Sequence, residues 1–118
     1  MTALQEKIAD DLKKALKAKD ALRASCLRML KAALKNRQVE IGRELNDGEV
    51  QTVISSQIRK GKEAVAEFRN AGREELAAKE EQEVEVLFGY LPKQLTADEI
   101  ESILKEIIAE ISAEGPKD

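Results

Sequence analysis

Apolar residues recur every three or four positions along almost the whole chain, which is the spacing of one face of an α-helix. In the first segment this stripe consists of Leu4, Ile8, Leu12 and Ala15. Aromatic residues make up only 3% of the chain, whereas the strands of sandwiches and barrels are enriched in aromatic and β-branched residues. The periodicity therefore predicts an all-α protein, with helices packed on helices.

Capping residues and glycines divide the chain into five predicted helices. Side chains that can cap a helix N-terminus occur at Thr2, Asp20, Asn46 and Thr96, and Gly42 is typical of a helix end. The predicted helices cover approximately residues 2–17, 21–41, 46–71, 73–90 and 96 onwards. The first four would form one array over residues 1–91.

The fourth predicted helix is strongly acidic but keeps an apolar stripe. We expect Leu76, Val84, Leu87 and Leu91 to face the core. The sequence Leu91-Pro92 should end this helix, because the residue before a proline is pushed out of the helical region.

The residue counts exclude several kinds of chemistry. The chain has no histidine and one cysteine, so it has no His-based triad, no internal disulfide and no Cys-based zinc site of its own. There is also no run of about 18 apolar residues and no signal-peptide core. We expect a soluble, cytoplasmic protein that does not contact a membrane, and we predict no catalytic residue, metal or cofactor.

Charge is distributed unevenly along the chain. Residues 1–45 hold eleven Lys and Arg against six Asp and Glu, while residues 73–118 hold five against thirteen. Two interpretations remain open. The basic part could contact phosphates, or the two parts could simply attract each other across the bundle.

Three basic residues of the second helix fall on one side of it. At 100° per residue, Arg28, Lys31 and Lys35 lie within about 60° of one another. Such a stripe could follow a nucleic-acid backbone, although no aromatic residue is interleaved with it to stack bases. The alternative is a solvated helix face.

Two charged residues project from apolar faces. Viewed down the axis of the second helix, the Arg23 side chain projects in a direction between those of Leu30 and Leu34. Glu80 likewise projects between apolar positions of the fourth helix. Because an unpaired buried charge is costly, we predict an Arg23–Glu80 ion pair. Its role would be a structural clamp rather than catalysis.

Gly61 and Cys26 lie on apolar stripes of the third and second helices. A glycine inside a helix costs about 1 kcal/mol relative to alanine, so Gly61 indicates either the close approach of another helix or a kink. Cys26 is predicted to be a small buried hydrophobic residue rather than a reactive thiol.

Ordered motifs resemble the YqeY family of small bacterial proteins over nearly the whole chain. Their sequences are RMLKAALKN at residues 28–36, FRNAGR at 68–73, YLPKQL at 90–95 and GPKD at 115–118. YqeY proteins are similar to the C-terminal tail domain of the B subunit of the tRNA-dependent Asp/Glu amidotransferase. That domain has four helices followed by a small three-helix bundle.

The resemblance implies tRNA-related binding and two domains. Residues 1–91 would be the helical array, and residues 95–118 would begin the three-helix bundle. Family members usually continue for about 30 residues beyond the Pro-Lys-Asp motif, so the chain resembles a truncated form. The fifth helix would then be exposed or would pair with a neighbouring chain.

The leading hypothesis is a non-catalytic, tRNA-associated module. The residues expected to contact the RNA backbone are Arg28, Lys31, Lys35, Lys60 and Lys62. The family resemblance also implies the label of a carbon–nitrogen ligase that uses glutamine as amide donor. Amide transfer would need other subunits, because this chain lacks a nucleophile-and-base arrangement. The alternative is a protein-interaction module acting through the acidic fourth or the apolar fifth helix.

Overall fold

Three of the first four helices begin at a side chain that caps their first turn. In the computed structural model, Thr2 and Gln5 form a capping box in which each side chain accepts the other's amide at 3.1 Å. Asn46 and Glu49 form the same reciprocal pair at 2.8 and 3.0 Å. The Asp20 carboxylate accepts the third amide of the second helix at 3.2 Å. Since these side chains satisfy amides that have no partner within the helix, they fix where each helix begins.

The structure describes residues 1–92, 101–102, 104–106 and 108–109. The first four helices are α1 (Ala3–Lys17), α2 (Ala21–Ile41), α3 (Asp47–Asn70) and α4 (Glu74–Phe88). The described residues between 101 and 109 are helical and form the fifth helix, and no strand occurs in the described part of the chain. The predicted all-α fold is therefore confirmed.

Glycines follow two of the helices, as predicted. Gly42 and Gly72 have φ angles of 81° and 74°, in the left-handed region that side chains with a Cβ disfavour. The end of α4 differs slightly from the prediction, since the helix stops at Phe88 rather than near Tyr90.

Helices α3 and α4 form an antiparallel pair with an unusually close contact. A Cβ atom placed on Gly61 would lie only 2.5 Å from Cγ2 of Val84. The absence of a side chain at Gly61 therefore lets the two helices approach. Of the two explanations considered for this glycine, close approach of another helix is confirmed.

The core lies where α2 packs on α1, α3 and α4. The largest fully buried side chains are Ile8, Leu27, Leu30, Val50 and Ile54. They are joined by further buried residues on α1 to α4 and in the segments that adjoin them. These include Leu12, Ala15, Ala24, Cys26, Leu34, Leu45, Ile58, Val84, Leu87 and Tyr90.

The prediction that Leu76 of α4 faces the core was wrong. Leu76 is 40% exposed, whereas its neighbour Ala77 is fully buried. Adjacent residues on a helix differ by 100° in direction, and the face that packs on α3 is that of Ala77, Val84 and Leu87. Leu91 is half-buried and packs against the core, as expected.

The C-terminal predictions fall mostly outside the described residues. These include the Thr96 cap, the boundary at residue 95 and residues 110–118. In the described part of the fifth helix, Leu104 and Ile108 are 53% and 60% exposed. Within the described part of the chain, no helix combines the length and apolarity needed to cross a bilayer.

Candidate nucleic-acid interface

The basic side of α2 is a product of regular helix geometry. Asp20 caps the helix and Gly42 ends it, so Ala21–Ile41 is uninterrupted. Arg28, Lys31 and Lys35, the basic triad, are all exposed. No ion pair or hydrogen bond among the described residues engages their side chains. The triad therefore presents three uncompensated positive charges to solvent.

Several other basic residues are neutralised by carboxylates. The Arg43 guanidinium donates two hydrogen bonds to Glu49, at 2.7 and 2.9 Å. These bonds and the cap amide of Asn46 lower the pKa of Glu49 to about 2. Arg69 is held in the same way, with its guanidinium 2.9 to 3.2 Å from the Glu74 carboxylate. Because the side chains of the basic triad are not paired with carboxylates of the described residues, they are more available to a ligand than these arginines are.

Lys60 and Lys62 do not lie beside the triad. Lys60 lines a cleft between α2 and α3 together with Ala33 and Arg37, which are on the opposite side of α2 from Lys31. The Lys62 ammonium lies 5.0 Å from the centre of the Phe88 ring on α4. Residues two apart on a helix diverge by about 200°, so Lys60 and Lys62 face different neighbours.

The predicted Arg23–Glu80 ion pair does not form. The Arg23 side chain is exposed, and its Nε lies 3.6 Å from the carboxylate of Asp20, the helix cap three residues earlier. Within residues 1–92, no ion pair joins Arg23 to Glu80. Glu80 is instead half-buried beside Gly61 and Glu83. The guanidinium also interacts with the Tyr90 hydroxyl after the end of α4, so its partner across the bundle is Tyr90 and not Glu80.

Cys26 is buried, as predicted, and its surroundings suppress its reactivity. Its thiol donates to the backbone carbonyl of Glu83, with Sγ and O 3.5 Å apart. Burial, reinforced by the charges of Glu83 and Glu80, raises the pKa of Cys26 to about 11. Because the thiolate is the nucleophilic form, this cysteine is not an activated nucleophile at neutral pH.

Tyr90 forms a contact that sequence patterns did not reveal. Its hydroxyl donates to the Asp11 carboxylate at 2.7 Å, across 79 residues of sequence. The Tyr90 side chain is 7% exposed, and the Lys7 ammonium lies 5.7 Å from its ring centre. This contact ties the end of α4 to α1. No local spacing encodes it, because it depends on how the two helices pack.

Replacing Tyr90 by Phe should lower the free energy of unfolding by about 1–2 kcal/mol, since it removes a hydrogen bond to a charged acceptor but keeps the ring. Burial and the Asp11 carboxylate raise the pKa of Tyr90 above its usual 10. The contribution of the Tyr90 hydroxyl to the free energy of unfolding should therefore be complete below about pH 10 and decrease above it. Urea denaturation at pH 7 and pH 9 should give equal differences between the two proteins. A difference that disappears by pH 9 would contradict this assignment.

A cleft between α1 and α2 adjoins the triad. Lys31 and Lys35 line it together with the half-buried Ala9, while Ile8 and Leu34 lie beneath it and are only 0% and 4% exposed. Its volume is about 380 Å³. The Gln38 side chain also lines the cleft and makes no hydrogen bond with another described residue. No sequence pattern predicts this cleft, because it forms only when two helices are aligned.

The described residues contain no metal-binding cluster. No group of three or more His, Cys, Asp or Glu side chains in this part of the chain could hold a metal ion.

Comparison with known proteins identifies related sequences. The model of a family described as Yqey-like protein matches residues 5–118. The chain is 31% identical over 109 residues to altered inheritance of mitochondria protein 41, mitochondrial, from Lachancea thermotolerans, covering 90% of this chain and 58% of that protein. The Kluyveromyces lactis protein of the same name is 29% identical over 112 residues, covering 92% and 60%. The Saccharomyces cerevisiae one is 28% identical over 101 residues, covering 85% and 55%.

The chain thus spans less than two thirds of the length of these curated relatives. Their names also contradict the expected cytoplasmic location, because they are named as mitochondrial proteins. That expectation rested on a single cysteine and on the lack of a long apolar run. Neither feature distinguishes one aqueous compartment from another, so the inference was wrong.

Proposed function

Because the chain belongs to the YqeY family, we propose that it is a non-catalytic helical module that binds tRNA through the basic side of α2. The likeness of this family to the tail domain of the amidotransferase B subunit supports tRNA as the class of partner. The observation that carries the proposal is the basic triad, Arg28, Lys31 and Lys35, which is exposed and unpaired.

The spacing of the triad suits a phosphate backbone. At 1.5 Å per residue, Arg28 and Lys35 are separated by about 10 Å along the helix axis, so the triad can contact neighbouring phosphates of one strand. Binding would release condensed counterions from the RNA. No aromatic side chain lies within the triad, so the three basic residues themselves would contact the backbone and would not stack on bases.

Lys60 and Lys62 take a smaller part in this proposal. Lys60 can reach only RNA that extends across α2 toward α3. Lys62 would have to leave the Phe88 ring. Each should therefore contribute less than a member of the triad.

The proposal assigns no bond-forming step to this chain. A carbon–nitrogen ligase reaction with glutamine as amide donor needs a nucleophile, and the Cys26 thiol is buried and protonated at neutral pH. Any such reaction in which this module takes part would be carried out by other subunits.

The test is the salt dependence of tRNA binding by a triple charge reversal, Arg28→Glu, Lys31→Glu and Lys35→Glu. Loss of three phosphate contacts should reduce the magnitude of the slope of log association constant against log salt concentration by about 2–3. It should also weaken binding at least tenfold at about 0.1 M salt. Fluorescence anisotropy with labelled tRNA between about 50 and 200 mM salt measures both quantities.

A matched control changes the net charge equally at another surface. Arg59, Arg73 and Lys79 are exposed residues of α3 and of the start and body of α4, and none forms an ion pair with another described residue. Their reversal to Glu should leave the slope within about one unit of the unmodified protein. An equal loss in the control, or no tRNA binding by the unmodified chain at about 50 mM salt, would overturn the proposal.

The second candidate is a protein-interaction module acting through the fifth helix or the acidic α4. The supporting observation is that Leu104 and Ile108 are more than half exposed. A partner that remains bound after nuclease treatment, and is lost with Leu104→Glu, would favour this function over tRNA binding.

A further inference from the structure

We propose that the cleft between α1 and α2 binds one nucleotide unit, with its phosphate on Lys31 and Lys35 and its base against Ala9 and Gln38. This inference deepens the proposed function and rests on it for the source of the nucleotide, which is an RNA chain. The chemistry of the site is that of any nucleoside monophosphate.

The charge of the cleft calls for an anion. Lys31 and Lys35 lie four residues apart on the same helix, where two like charges repel each other. Neither ammonium is neutralised by a carboxylate among the described residues. Glu44, the carboxylate that also lines the cleft, lies 3.4 Å from the amino group of Met1. The cleft is therefore net positive, and a phosphate between the two lysines would relieve their repulsion.

The lining of the cleft suits a base rather than an acyl chain. Ala9 is a half-buried apolar residue of the lining, and the cleft volume of about 380 Å³ lies in the range of small-molecule sites. Carboxamides occupy the rim. Gln38 is unengaged, and Gln5 uses only its oxygen, in the α1 cap. A glutamine amide can pair with a base edge, that of adenine in particular, whereas an acyl chain would leave both amides unpaired.

The experiment is an NMR titration of the 118-residue chain with AMP and, separately, with ribose 5-phosphate. AMP should shift the amide signals of Ala9, Leu34 and Gln38 and bind at least tenfold more tightly than ribose 5-phosphate. Equal affinity for the two probes would overturn the base site. So would shifts that avoid these three residues, or no shifts at millimolar AMP.

Two variants test the cleft without changing its charge. Ala9 is a half-buried lining residue, so Ala9→Phe should fill the cleft and weaken AMP binding at least tenfold. Ala78→Phe places the same side chain on the exposed face of α4 and should have no effect. Gln38→Leu should weaken AMP binding about threefold or more and leave ribose 5-phosphate unchanged. Unaltered AMP affinity in both Ala9→Phe and Gln38→Leu would refute the site.

RNA binding separates this inference from the proposed function. Ala9→Phe should reduce tRNA affinity about threefold to tenfold with an unchanged salt slope, because the basic triad remains. If AMP binds but tRNA does not, the proposed function fails and the nucleotide site stands. If tRNA binds through the triad but Ala9→Phe has no effect on it and AMP does not bind, the nucleotide site alone fails.

Discussion

Replacing Leu27 by Ala should lower the free energy of unfolding by about 2–5 kcal/mol. Leu27 is 0% exposed and lies on α2, the helix that packs on α1, α3 and α4. The loss combines the apolar contacts of the side chain with the cavity left behind. Since small domains are stable by only about 5–15 kcal/mol, a substantial fraction of the variant should be unfolded at modest urea concentrations.

The matched control makes the same substitution at Leu76. This residue belongs to the apolar periodicity of α4 but is 40% exposed. Leu76→Ala should cost less than about 1 kcal/mol, because much of its side chain already contacts water. Urea denaturation followed by circular dichroism measures both variants. Similar losses at the two positions would show that Leu76 is a core residue and that the packed face of α4 is different.

The positions of the helices could be predicted because the signals that fix them are local. The capping residues Thr2, Asp20 and Asn46 each accept an amide three residues later, and Gly42 adopts the left-handed conformation that ends α2. Such interactions depend on a few consecutive residues. The sequence therefore contains all the information they need.

The contacts between helices were predicted less well, because they depend on the rotation and register of whole helices. The apolar spacing of α4 predicts that Leu76 faces the core, but the helix is rotated so that its neighbour Ala77 is buried instead. Arg23 and Glu80 were paired on the assumption that each lacks a nearby partner. The Asp20 carboxylate already supplies one for Arg23, and across the bundle Arg23 interacts with the Tyr90 hydroxyl rather than with Glu80.

The candidate interface also combines features that the local sequence predicts with features that depend on how the helices pack. The basic triad follows from the helical repeat of α2, so sequence alone defines it. Whether Lys60 and Lys62 join it depends on which helices flank α3, and they turn out to face α2 and α4 separately. The cleft beside Lys31 and the Tyr90–Asp11 hydrogen bond arise from packing between segments distant in sequence.

Replacing Gly61 by Ala should destabilise the protein by up to about 2 kcal/mol, although alanine is normally the better helix former by about 1 kcal/mol. The new Cβ would lie 2.5 Å from Cγ2 of Val84. Valine is stiff about its first side-chain bond, so α3 and α4 must separate, and overpacking of this kind costs about 1–3 kcal/mol. The control is Gly48→Ala in the same helix, where the nearest atom, Oδ1 of Asn46, is 3.4 Å from the added Cβ. That substitution should be neutral or stabilising.

A double variant shows whether the contact with Val84 is the cause. Val84→Ala alone should destabilise the protein, because Val84 is 7% exposed and its removal leaves space in the core. That space is where the new methyl group would go, so adding Gly61→Ala to Val84→Ala should restore up to about 1 kcal/mol. Gly61→Ala would thus destabilise the protein when residue 84 is valine and stabilise it when residue 84 is alanine. If Gly61→Ala were equally destabilising in both backgrounds, the glycine would be required by the backbone of α3 and not by the approach of α4.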